Sequence, residues 1–175
     1  MNYHLKQWLI SIKHYALMCL LISGPDRLPG SVQNIILSIF CYCLVGFALI
    51  DEQRSYATIL LQIALELLLL ALVCYSGLKW KGLLPRFTQA FSALIGVNII
   101  ISIVSIPAYR MLVQDDLVDG DLNRIAINTT MVIVFWNLVV MSSIFKKAFN
   151  VNTLIAAIIS FNYFLVYQFI VVWLF

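Results

Sequence analysis

Five apolar runs of about 20 residues, each bounded by charged residues or the chain end, constrain this sequence more than any other feature. They are Ser31–Ile50, stopped by Asp51, Glu52 and Arg54; Tyr56–Leu78, stopped by Lys79 and Lys81; Phe87–Tyr109, opened by Pro85 and Arg86; Ile125–Phe145, stopped by Lys146 and Lys147; and Thr153–Phe175. A helix of this length matches the hydrocarbon thickness of a bilayer. Peptide groups in hydrocarbon must bond internally, so each run is expected to be helical, and none alternates as a barrel strand does. Composition removes the alternatives. The 175 residues are 63% hydrophobic and 11% charged, whereas soluble domains run near half and a quarter. A water-soluble fold of this size cannot hide that much apolar surface. An ordinary soluble enzyme, a disordered tail, a coiled coil and a nucleic-acid module are therefore excluded. An all-α polytopic membrane protein with five transmembrane helices is expected.

The stretch from Tyr3 to Ser23 is less apolar, being interrupted by Lys6, Gln7, Lys13 and His14. Lys6, Ile10, Lys13 and His14 lie near one stripe of a helix; Leu5, Trp8, Leu9, Ile12, Ala16 and Cys19 lie on another. This suits an amphipathic helix in the interface, with Trp8 and the lysines at headgroup level. A sixth span would carry Lys13 towards the bilayer centre at high cost. Gly24-Pro25 and Pro29-Gly30 then stop the helix and form a rigid turn. The expected organisation is an interfacial helix and turn over residues 1–30 and a five-helix transmembrane domain over 31–175.

Basic residues orient such a domain. With a cytoplasmic N-terminus, the inner side holds Lys6, Lys13, Arg27, Lys79, Lys81, Arg86, Lys146 and Lys147, and the outer side Arg54, Arg110 and Arg124. Eight against three points to N-terminus in and C-terminus out. A bacterial inner membrane is the expected location.

Several stretches resemble the Yip family, five-span membrane proteins whose eukaryotic members interact with Rab GTPases. The second run ends Tyr75-Ser76-Gly77-Leu78-Lys79-Trp80-Lys81-Gly82. The third opens Phe87-Thr88-Gln89-Ala90-Phe91 and closes Ile106-Pro107. The last two are linked through Trp136-Asn137-Leu138-Val139, Lys147-Ala148-Phe149-Asn150-Val151 and Ala156-Ala157. The resemblance covers about residues 31–175 and implies the five-span fold. About 30 residues precede the first run, which is similar to the short prokaryotic Yip-domain form, so a GTPase partner is not carried over.

Glu66 is the sharpest single residue. It lies about 15 Å into its run, near the midplane. A carboxyl there is usually turned inward, protonated or paired. No basic residue lies within a run, so Glu66 has no intramembrane ion partner and is expected to be neutral at pH 7. Gln62 is one turn away on the same face. Asn98 and Asn162 reach similar depth, whereas Gln89, Asn137 and Gln168 fall nearer the ends. Glu66, Gln62, Asn98 and Asn162 are expected to form one polar cluster in the bundle. Its plainest use is interhelical glue, at about 0.6–2 kcal/mol per bond. A proton- or ion-coupled path and an interface for another membrane subunit are the functional alternatives.

Other features are weaker. Ser92-x-x-x-Gly96 permits close helix contact, within the chain or in a homo-oligomer. Pro107 is expected to bend or end the third helix. Asn128-Thr129-Thr130 matches a glycosylation sequon but lies too near the membrane to favour use. The loop Arg110–Asn123 carries Asp115, Asp116, Asp119 and Asp121, better suited to solvent than to a divalent cation because the twelve-residue calcium-loop pattern is missing. Cys19, Cys41, Cys43 and Cys74 read as reduced small hydrophobes. His4 and His14 suit headgroup contact. Lys79, Trp80, Lys81, Arg86, Lys146 and Lys147 make an aromatic-basic rim for anionic lipid heads, at about 1 kcal/mol per charge. No nucleophile-and-base pair, phosphate-cradling glycine loop or metal motif is present in the sequence. No catalysis, metal, cofactor or nucleic acid is expected. The expected partners are the lipid bilayer and other membrane proteins or a second copy of the chain. The leading expectation is a non-catalytic scaffold, assembly or membrane-organising factor; the alternative is a small transporter or channel subunit using Glu66.

Overall fold

The computed structural model describes residues 3–48, 55–113 and 120–174. It holds six α-helices, with no strand among the described residues: α1 Tyr3–Cys19, α2 Val32–Ala48, α3 Tyr56–Trp80, α4 Phe87–Val113, α5 Gly120–Phe149 and α6 Thr153–Leu174. Short 3-10 turns at Pro25–Arg27 and Leu84–Arg86 precede α2 and α4. The protein is an integral membrane protein in build: α3 to α6 are each long and apolar enough to cross a bilayer, and α2 is a shorter apolar helix of 17 residues. The last two residues of the expected first span, Leu49 and Ile50, lie outside the described residues, as do Asp51, Glu52 and Arg54.

α4 is the axis of the bundle. It touches α1, α2, α3 and α5, and 56% of its span is buried against 17–22% for α3, α5 and α6. The cause is in the sequence. Ala90, Ser92, Ala93 and Gly96 keep its first half thin, so neighbouring backbones approach closely. The large residues among them, Leu94, Ile95 and Val97, are fully buried. The outward faces of α3, α5 and α6 stay apolar and exposed, as a lipid-facing surface requires: Leu68, Leu72, Val132, Phe135, Phe169 and Val172 are examples.

Helix ends are closed by local chemistry. α1, α3 and α5 each finish with a residue in the left-handed region, Leu21, Gly82 and Asn150. The following amide reaches back to the fifth carbonyl before it: Ile22 to Leu17, Leu83 to Leu78 and Val151 to Lys146. At the start of α6 the Asn152 side-chain oxygen accepts from the Ile155 amide at 2.8 Å, an N-cap.

Two expectations need correction. Of the two outcomes expected at Pro107, the helix does not end there, since α4 runs through it to Val113. Pro107 has no amide to offer Ile103 O, so it removes one bond of the ladder without breaking the helix. The acidic loop is also shorter than Arg110–Asn123, because helix extends in from both sides. Asp115, Asp116 and Asp119 lie outside the described residues, and Asp121 falls within α5.

α1 turns Ser11, Tyr15, Met18 and Cys19 to the bundle, with Trp8 half-buried beside them, and leaves Leu9, Ile12 and Ala16 exposed. Polar bonding decided this. The Tyr15 hydroxyl lies 2.7 Å from Ser92 Oγ and 3.3 Å from Ser38 Oγ, and it accepts from Asn34 Nδ2 at 3.2 Å. All four residues are buried. The Tyr15 ring lies flat on Gly96, where a Cβ would meet three ring atoms at 2.5 Å. The small pair Ser92 and Gly96 thus receives α1 of the same chain. Trp136 Nε1 donates to Cys19 O at 2.9 Å, and Lys147 Nζ donates to Ser23 O, so α5 holds the other side of the same segment.

Candidate functional site

The end of the bundle that carries Lys79, Lys81, Arg86, Lys146 and Lys147 is here the basic end. At 1.5 Å per residue, Tyr42, Glu66, Asn98, Asn137, Tyr163 and Tyr167 all lie roughly 15–21 Å along their helices from it. Five helices therefore contribute polar groups at a common depth, near the middle of a span.

Glu66 stands at the centre. It is half-buried near the middle of α3. Two tyrosine hydroxyls, Tyr42 on α2 and Tyr167 on α6, hydrogen-bond its carboxyl. Gln62, one turn before Glu66, donates through Nε2 to the Tyr167 hydroxyl at 3.3 Å. Tyr163 is one turn before Tyr167, and their rings lie nearly parallel, 6.4 Å between centroids and 11° between planes. The i, i+4 spacing puts both tyrosines on one face of α6, and helix packing turns that face to α3.

These groups open onto a cavity of about 110 Å³. Glu66, Asn98, Asn137, Tyr163 and Tyr167 are its polar lining, and Val134, Leu138, Met141 and Phe164 its apolar lining. Room for one water takes about 10–15 Å³, so the cavity holds several. Three polar atoms around it are buried without a partner among the described residues: Asn98 Oδ1, Asn137 Oδ1 and the Tyr163 hydroxyl. Native interiors seldom leave such atoms unmatched, because each costs about 1–3 kcal/mol. Three around one cavity mark it as built to receive something polar. Among the described residues no Lys, Arg or His lines it, and Glu66 is its one carboxyl.

The expected cluster is thus partly realised. Glu66 and Asn98 line one cavity, and Gln62 joins through Tyr167. Asn162 does not belong: it is exposed, and its amide donates to Ile158 O of its own helix at 2.9 Å. Asn137 does belong, although it was expected near an end. Counted along Ile125–Phe145 or along α5, Gly120–Phe149, Asn137 stands near the middle. The residues missed from the sequence are the tyrosines. Their signal was present, since tyrosine favours the headgroup level. A tyrosine hydroxyl ten or more residues into an apolar helix has no water to meet, and so implies a buried partner.

The basic end matches the expected rim in exposure. Lys79, Trp80, Lys81, Arg86, Lys146 and Lys147 are all exposed. Lys81 Nζ lies 4.8 Å from the Trp80 ring centroid, a cation–π contact. Lys147 also has an internal duty, since its ammonium is held on Ser23 O. Cys19 and Cys74 are buried, Cys41 and Cys43 half-buried, and all four are free. Burial pushes the Cys19 thiol up to about 11, which leaves it little reactive thiolate.

In comparisons with known proteins, no family model, no curated protein and no solved structure matches this chain.

Proposed function

We propose that this chain is a non-catalytic membrane protein of five spans that acts as a small transporter or channel subunit through the cavity around Glu66. The observation that carries this reading is the mid-depth cavity with a carboxyl and three unmatched polar atoms. Interhelical glue would consume its own hydrogen bonds. Here Asn98 Oδ1, Asn137 Oδ1 and the Tyr163 hydroxyl remain to be satisfied by something else. An intramembrane carboxyl facing a cavity is the usual mark of a solute or ion path.

Reconstituted vesicles test it. Trapped pH- and sodium-sensitive dyes should report ion movement faster than in protein-free vesicles. Glu66→Gln should lower that rate at least tenfold while the protein still folds, and Asn162→Ala should leave it unchanged. Equal rates in wild type and Glu66→Gln would overturn the transport reading.

Five spans follow if α2 crosses with Leu49 and Ile50 added to its described 17 residues. α1 then enters from the inner side and packs on α4 at Ser92 and Gly96, its exposed Leu9, Ile12 and Ala16 towards lipid. The basic rim faces the cytoplasm of a bacterial inner membrane, with the N-terminus inside and the C-terminus outside. A membrane-impermeant maleimide checks this with one added cysteine at each end: Asn2→Cys should be protected in intact spheroplasts and Phe175→Cys labelled. Labelling of both would remove the odd number of crossings. The low thiolate content of Cys19 keeps the native background small.

A second reading, closer to the Yip resemblance, is a scaffold, assembly or membrane-organising factor. The observation favouring it is the rim, where Trp80 is 75% exposed among Lys79, Lys81 and Arg86. Anionic lipid heads, another membrane protein or a second copy of this chain fit that surface. A stoichiometric partner retained in mild detergent, together with vesicles that move no ion, would favour it over transport.

A further inference from the structure

Resting on the transport reading, we infer that the cavity around Glu66 is a binding site for a small monovalent cation. The ligand chemistry follows from the wall. Its unmatched amide atoms, Asn98 Oδ1 and Asn137 Oδ1, are acceptors, and the Tyr163 hydroxyl presents an oxygen. Asn98 is only 5% exposed and Tyr163 only 7%, so bulk water does not serve them. The Glu66 carboxyl has about four lone-pair positions. The Tyr42 and Tyr167 hydroxyls occupy part of that capacity and fix its orientation, leaving the rest for a ligand. Acceptors without matching donors call for a donor or a cation.

Charge then narrows the class. A single carboxyl faces the cavity, and no basic side chain lines it. A bound anion would meet like charge in a low-dielectric interior, where repulsion is strong. A divalent ion would leave one positive charge uncompensated at mid-depth, which the bilayer penalises. One positive charge is balanced by one carboxylate. Size agrees: about 110 Å³ admits an alkali ion with a few waters, or a small primary ammonium, but no large organic cation. The two sources share the same chemistry. The oxygen wall suits the alkali ion, and the Tyr163, Phe164 and Tyr167 rings add a cation–π surface for the ammonium.

Binding is measured on the purified full chain in mild detergent, without any transport. Thermal unfolding is followed in N-methylglucamine chloride as ions replace it at constant ionic strength: sodium, potassium, methylammonium or magnesium. A ligand that binds the folded state raises its melting temperature with concentration. The expected result is a saturable rise with sodium, potassium or methylammonium, and none with magnesium. Preference for an alkali ion or for methylammonium identifies the source. Glu66→Gln, which keeps the shape and removes the charge, should abolish the rise. Asn98→Ala should weaken apparent affinity at least tenfold. Tyr163→Phe serves as a second probe should Glu66→Gln not fold, and it should weaken affinity several-fold.

No rise with any monovalent cation overturns the inference, as does a rise that survives unchanged in Glu66→Gln. If Glu66→Gln fails to fold, an unchanged rise in both Asn98→Ala and Tyr163→Phe overturns it instead. The outcome separates from that of the vesicle experiment. Saturable binding without ion movement keeps the cation site and removes transport. Movement without monovalent-cation binding removes the site and keeps transport.

Discussion

Gly96→Ala is expected to unseat α1 from the bundle and to lower stability by about 3–5 kcal/mol. A Cβ at this position would stand 2.5 Å from three atoms of the Tyr15 ring. The ring is 4% exposed and cannot swing away as a flexible chain end would. Overpacking of this kind costs about 1–3 kcal/mol by itself. Moving the ring also pulls its hydroxyl from Ser92, Ser38 and Asn34, and leaving such buried groups unmatched costs about 1–3 kcal/mol more. Thermal unfolding in detergent reads the loss. Trypsin cleavage at Lys13, which is exposed on α1, should accelerate as the helix loosens. Tyr15→Ala should remove the clash, so the double variant should be less unstable than the sum of the two single changes. A Gly96→Ala protein that melts with wild type would show that α1 is not seated on α4 as described.

Phe149→Ala is expected to cost about 2–4 kcal/mol, read as a fall in melting temperature. Phe149 is 1% exposed and stacks on Phe145 with ring centroids 5.1 Å apart. It also fills the notch over Gly77, where a Cβ would meet its ring at 2.6 Å. It therefore joins α5 to α3 at the basic end. In soluble cores Phe→Ala changes cost about 3–5 kcal/mol, part from transfer to water and part from the cavity left behind. Lipid is as apolar as the core, so the transfer part shrinks in a bilayer and the packing part stays. That places the expected loss towards the lower side. Phe149→Leu, which keeps most of the volume, should cost less than half as much, because dispersion contacts scale with the atoms retained. Equal losses for Leu and Ala would mean that the stacking with Phe145, rather than the filled volume over Gly77, holds this end together.

The two predictions bear on different parts of the molecule from the cavity. Neither Gly96 nor Phe149 lines it. Loss of cation-dependent stabilisation in Glu66→Gln, with an unchanged melting temperature in N-methylglucamine, would thus separate the site from the scaffold.

The helical class and most helix limits were legible in the sequence. The expected run Tyr56–Leu78 matches α3, Tyr56–Trp80, and Thr153–Phe175 matches α6, Thr153–Leu174. Hydrocarbon imposes a length and forbids unpaired peptide groups, so composition alone sets these elements. The middle of the chain was less legible. α4 and α5 extend beyond their apolar cores into Arg110 and Arg124, because a helix continues for as long as its backbone bonds are available and does not stop where polarity begins.

Depth along each helix was likewise open to counting, which is why Glu66 and Asn98 stood out. Rotation about each helix axis was not. In an all-apolar run, every face has similar hydropathy, so the periodicity that reveals the inward side in a soluble helix is weak. Asn162 and Tyr163 are neighbours in sequence at nearly the same depth. Only the packing of α6 against α3 and α5 decided that the tyrosine turns inward and the asparagine outward. The same holds for α1, where one tyrosine hydroxyl bonded to three buried side chains marks the face that meets the bundle. Solvent determined that the chain is helical and how long its helices are. The contacts between helices, which sequence spacing does not encode, determined which side chains meet around Glu66.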